Sequence, residues 1–190
     1  MQNKGWLVCL VLMMVLFSCG NDQYYLPKPK SYFRIDLPDK KYESFKSELP
    51  FTFEKPIFSV LEKRAVSKDQ FNLVYPLHKA KIHFTYLDLD SKDVQSFLED
   101  AYNYAYTHNQ KATAIKTQNK VDTLNQVYGL VYDLKGDVAS SLQFYLTDST
   151  DHFLRGALYF SHVPNADSIQ PVLEYIKEDV DHIYKTLEWK

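Results

Sequence analysis

The chain has 190 residues with 22 basic and 24 acidic side chains, a formal net charge of −2, and no long run of either sign, so nothing in its charge points to nucleic acid. Its two cysteines fall at positions 9 and 19, which leaves none in the body of the chain for an internal disulfide, a thiol nucleophile or a cysteine metal site. Five glycines are too few and too scattered for a phosphate-cradling loop or a dinucleotide fingerprint.

Lys4, the apolar run from Trp6 to Phe17 and the small residue Ser18 before Cys19 have the layout of a short secretory signal. The run is well short of the roughly twenty residues that span a bilayer. Leu16-Phe17-Ser18-Cys19 resembles a bacterial lipobox, so residues 1–18 are expected to be removed and Cys19 to become the acylated first residue of the mature chain. Several acyl chains, at about 0.8 kcal/mol per buried methylene, would hold the protein on a membrane.

Residues 19–50 read as a lipidated tether rich in Pro, Lys and aromatic residues and partly docked, with residues 51–190 as one domain. Pro27-Lys28-Pro29-Lys30 is expected to be extended and hydrated. Tyr32, Phe33 and Arg34 are residue types favoured at contact hot spots, and Phe33 to Leu37 alternates partly like a strand. Pro27, Lys28, Pro29, Lys30, Tyr32, Phe33 and Arg34 are therefore the candidate partner-binding residues. The competing expectation is that Tyr32 to Leu37 forms the first strand of the domain's own sheet.

Further along, residues 51–53, 71–75 and 82–86 predict strands, the last by the alternation of Ile82, Phe84 and Tyr86 with His83 and Thr85. Val94, Phe97, Leu98, Ala101 and Ala105 predict a helix over about 92–107, with Ser91 as N-cap and Asp93 at its positive end. Three strands are expected between 125 and 162, broken at Lys135-Gly136-Asp137 and Asp148-Ser149-Thr150-Asp151. The first of them carries apolar residues on both faces and should be central. Ile169, Val172, Leu173, Ile176, Val180, Ile183, Tyr184 and Leu187 mark a long terminal helix, with Ser168 as N-cap and Pro171 in the first turn.

These elements predict an α+β fold, an antiparallel sheet with a meander packed by two helices, the longer one C-terminal. Over the last hundred residues the order is similar to the sandwich of the Mog1/PsbP group. Among candidate chemistry, His78 and His83 are spaced to face opposite ways on a strand, and His152 and His162 are too far apart to share an ion. His108 suits a helix C-terminus, and His182 lies beside the terminal stripe. Asp88, Asp90 and Asp93 lack the glycine and distal glutamate of a calcium loop, Asp148 and Asp151 bracket a turn, and Glu178, Asp179 and Asp181 read as a solvated helix face. No catalytic residue, metal site or cofactor is assigned.

The string from Tyr25 to Pro38, YLPKPKSYFRIDLP, directly after Cys19, resembles the start of the gliding motility lipoprotein GldD family of Bacteroidota. Ser31 stands where that pattern has glycine. The similarity continues through the tyrosine-rich stretch Ala101 to Tyr106 and the strand from Leu154 to Phe160. It implies a non-enzymatic envelope lipoprotein required for gliding motility and coupled to type IX protein secretion. The expected partners are a membrane, through the acyl chains (palmitate among them), and other proteins of the gliding and secretion machinery. The expected site is the outer membrane, facing the periplasm. The rival expectations are a periplasmic enzyme acting on the cell wall and a carrier of an apolar ligand between sheet and helix.

Overall fold

A computed structural model of the chain describes residues 35–45, 48–63, 67–90, 93–107, 111–161 and 166–190. Among the described residues eleven strands and two α-helices follow in order. They are β1 (Tyr42–Ser44), β2 (Phe51–Thr52), β3 (Glu54–Pro56), β4 (Val60–Lys63), β5 (Gln70–Tyr75), β6 (Ala80–Asp88), α1 (Val94–Thr107), β7 (Ala114–Asp122), β8 (Val127–Lys135), β9 (Ser140–Thr147), β10 (His152–Phe160), α2 (Ala166–Thr186) and β11 (Glu188–Trp189). A short 3-10 turn at Pro76–His78 links β5 to β6.

The alternation of Ala80, Ile82, Phe84 and Tyr86 buries one face of β6, as a period of two requires. β6 joins a seven-stranded antiparallel sheet in the order β4-β5-β6-β10-β9-β8-β7. The α+β class is therefore as expected, with the β8-β9-β10 meander at its heart. The central strand is β10, not the first strand of the meander: β8 lies one place from the edge because β7 pairs with all nine of its residues. β7 carries only Ala114, Ile115 and Val121 as apolar residues, too few for the periodicity to announce a strand.

One sheet face carries the main core. Phe71, Leu73, Phe84, Phe144 and Leu158 pack there with Leu173, Ile176, Val180 and Ile183 of α2. Gly156 makes room in that face, since a Cβ placed on it would come 2.2 Å from the Phe144 ring. On the other face α1 covers two smaller clusters, Leu89, Ala101 and Phe153 in one and Ala105, Tyr132, Leu134 and Val138 in the other.

Helix ends differ from expectation in detail. Asp93, immediately before α1, caps it by accepting the Gln95 N–H at 2.9 Å, while Ser91 lies outside the described residues. α2 begins at Ala166, so Ser168 is inside the helix and Pro171 sits beyond the first turn, where its ring removes one i→i−4 bond.

The N-terminal part of the described chain is packed and not free. Phe45 is buried and stacks on Phe53 at 4.5 Å and near Phe71 at 5.1 Å. Ile35 packs against the same core. Residues 35–41 form no strand, which corrects the expected strand as far as it is described; the first is β1, paired with β3. β2 pairs with β11, so the C-terminal strand is stitched beside the segment that precedes the main sheet.

Candidate functional site

The residues singled out for lipidation and partner binding, Cys19, Pro27, Lys28, Pro29, Lys30, Tyr32, Phe33 and Arg34, lie outside the described residues, as do His108 and His162. What is described is the place where that N-terminal segment enters the domain. Ile35 lines a cleft of about 200 Å³ with Leu77, His78, Phe160, Ile169 and Val172, at the end of the sheet where α2 begins. From there the chain runs along α2.

Extended chain presents every second residue to one side, and an α-helix presents i, i+4 and i+7. Pro38, Lys40 and Tyr42 meet Tyr175, Asp179 and His182 in that order. The Tyr175 hydroxyl donates to the Pro38 carbonyl at 2.7 Å. Lys40 Nζ donates to Asp179 Oδ1 at 2.6 Å and to the Tyr175 carbonyl at 2.5 Å, and lies 3.3 Å from the centre of the Tyr175 ring. Tyr42 donates to the same Asp179 oxygen at 3.0 Å and stacks on His182, ring centres 3.5 Å apart. His182 in turn contacts Glu54 Oε2 at 2.7 Å.

Beneath this row sit Tyr75 and His78, carried by the end of β5 and the 3-10 turn. The Asp179 side chain is 0% exposed. Tyr75 Oη, His78 Nε2 and Asp179 Oδ2 are buried and make no direct hydrogen bond among the described residues. Burial raises the Asp179 carboxyl above its ordinary value, against the lowering effect of Lys40, Tyr42 and Tyr75. Burial, then the Asp179 charge, pushes the Tyr75 phenol well up and that of Tyr175 up to about 12. His78 is lowered by burial and by the Lys40 charge, opposed by Asp179. Near neutrality the cluster therefore holds protonated phenols and a neutral imidazole around the Lys40–Asp179 pair.

Asp179 is thus not part of a solvated helix face, which corrects the reading of the terminal helix. It lies three residues after Ile176 and four before Ile183, within the apolar stripe. That placement, an acidic residue on a stripe needing a buried cation, was the available signal. Glu178 is exposed as expected, and Asp181 accepts from Lys120 of β7 at 2.5 Å.

The other histidines and acids are engaged structurally. His83 Nδ1 is 2.6 Å from Asn72 Oδ1 on the sheet face away from α2. His152 meets the Tyr86 hydroxyl at 2.8 Å and stacks on Trp189. Asp148 accepts the N–H groups of Thr150, Asp151 and His152, which hold its carboxyl below the ordinary value although burial opposes them. At the sheet end remote from Ile35, a cleft of about 590 Å³ lies between Phe45, Leu49, Leu61, Phe71 and Tyr86, with Lys63, Lys68, Asp69 and Asp88 around it.

No curated protein sequence matches the chain. A family model described as gliding motility lipoprotein GldD matches residues 22–189, so the match takes in the proline-rich string, the clamp between Lys40 and Asp179 and the whole sheet. The chain belongs to the GldD family of gliding motility lipoproteins.

Proposed function

We propose that the protein is a non-enzymatic scaffold of the gliding apparatus, anchored through acyl chains on Cys19 in the outer membrane, facing the periplasm, and coupled to type IX secretion. In this reading Pro27 to Lys30 with Tyr32, Phe33 and Arg34 binds a partner in the envelope machinery, and the clamp holds the chain that follows, Pro38 to Tyr42, on the domain.

The observation that carries the reading is the Lys40–Asp179 pair with its flanking contacts at Pro38 and Tyr42. A passive linker needs no such seat. Force or position imposed at the anchor would pass into α2 and from there into the sheet, which suits a scaffold. The non-enzymatic part is supported by where the buried cluster lies: Lys40, Tyr75 and Asp179 line neither the 200 Å³ nor the 590 Å³ cleft, and His78, which borders the smaller one, has its Nε2 buried, whereas acid–base chemistry needs such groups within reach of a substrate.

Two variants test it. Cys19→Ser should move the chain out of the membrane fraction and abolish gliding. Replacing Pro27 to Lys30 by an equal length of Gly/Ser should leave the chain in the membrane but reduce gliding and co-purification with envelope partners; unchanged gliding and unchanged co-purification would defeat the docking role.

A further inference from the structure

β7 is a sheet edge among the described residues; the Tyr184 hydroxyl of α2 reaches its backbone at Val121, and the strand has few other features that normally protect an edge. It runs nine residues, about 30 Å, without proline and without a register shift against β8. Of its two lysines, Lys120 is buried and neutralised by Asp181, so it no longer guards the edge. Lys116 lies in a cleft with Glu174, Glu178 and Asp181 of α2. Val121 is 64% exposed, unusual for an apolar residue in a regular strand.

The strand is complementary to itself. Read antiparallel about Asn119, Lys116 falls opposite Asp122, Thr117 opposite Val121, and Gln118 opposite Lys120. These are opposite-charge, β-branched and polar pairs, the combinations that stabilise neighbouring strands. The Asp122 carboxylate already accepts from Leu124 and Asn125, and its remaining lone pairs can take a lysine. The two adjacent registers are poorer: pairing about Gln118 sets Lys116 against Lys120, and pairing about Lys120 sets that lysine against its own copy and Asn119 against Val121.

We propose that β7 pairs with β7 of a second copy of the chain, antiparallel about a two-fold axis at Asn119, joining two seven-stranded sheets into one. A single strand pair is a small interface. The proposal rests on the anchored reading in that respect, because confinement of both copies to one membrane raises their effective concentration. Fifteen residues separate Cys19 from Ile35, a reach of at most about 50 Å, enough for both copies to share a membrane although their N-terminal segments leave at opposite ends of the joined sheet.

The test uses the full chain in the membranes of its own cells, with single cysteines and mild oxidation, read as dimer on a non-reducing gel. Asn119→Cys places two Cα atoms about 4.5–5.5 Å apart, within disulfide range, so it should crosslink to itself. Gln118→Cys alone sets them about 8 Å apart and should crosslink poorly, whereas Gln118→Cys with Lys120→Cys should crosslink well. Adding Lys116→Glu to Asn119→Cys should lower the dimer several-fold, since like charges then face each other. Equal crosslinking at 118 and 119, none at 119, or a bond from 119 to another protein and not to itself overturns the proposal. Fractionation of the same cells separates the two readings. A membrane-bound chain without the Asn119 dimer leaves the anchor standing and removes the pairing. A chain in the soluble fraction removes the anchor, and the same cysteine set at raised protein concentration then decides the pairing.

Discussion

Lys40→Met would leave the Asp179 carboxylate with a fully buried side chain and, among the described residues, no cation, with the Tyr42 hydroxyl 3.0 Å away as its remaining close donor. Stranding one member of a buried pair costs about 3–5 kcal/mol, against about 0–1 kcal/mol for a pair on the surface. Lys40→Met and Asp179→Leu are each expected to fall in the higher range. The double variant should recover most of the loss, because two apolar side chains in contact no longer leave a buried charge behind. Urea unfolding followed by circular dichroism measures the cycle. Single costs below about 1 kcal/mol, or costs that simply add in the double variant, would refute the claim that the N-terminal segment is clamped. The pH dependence gives a second reading of the same group. Because the folded carboxyl is raised above 3.8, the stability this group contributes is full below that value and is lost as pH rises through the folded value. Asp179→Asn should remove that slope.

Phe45→Ala should cost about 3–5 kcal/mol in the same unfolding assay, since the ring lies in the main core against Phe53 and Phe71; a cost near zero would return this segment to the status of a linker. Gly156→Ala should cost about 1–3 kcal/mol through overlap with the Phe144 ring, and Phe144→Leu in the same chain should relieve part of that cost. His78 titrates below 6.5 in the fold, so its contribution is complete above pH 6.5 and disappears as pH falls through the folded value. His78→Gln should flatten the stability profile over that window, as thermal melts from pH 5 to 7 would register.

Much of the fold was legible because burial imposes a period. Ile82, Phe84 and Tyr86 alternate as a half-buried strand must, and Ile169 to Leu187 repeats as a helix lying on a sheet must. β7 was not legible because an edge strand with mostly polar side chains carries almost no hydrophobic period; its identity comes from backbone pairing with β8. The clamp was legible only in part. Asp179 stands on the apolar stripe, which marks it as anomalous, but its cation lies 139 residues away in the chain, and no local pattern connects Lys40 to it.

Local chemistry sufficed for the export signal pattern, the expected acyl site at Cys19, the proline-rich string by which the family is recognised and the α+β class, since each depends on residues near one another in the chain. Tertiary structure decided what those features are joined to. It placed β10 and not β8 at the centre of the sheet, seated residues 35–45 of the partly docked segment against the core and α2, and buried Asp179 under Lys40. The physical reason is the same in each case: strand order, the docking of an extended segment and the pairing of buried charges are settled by which distant surfaces exclude water together, and that is not written in any single stretch of chain.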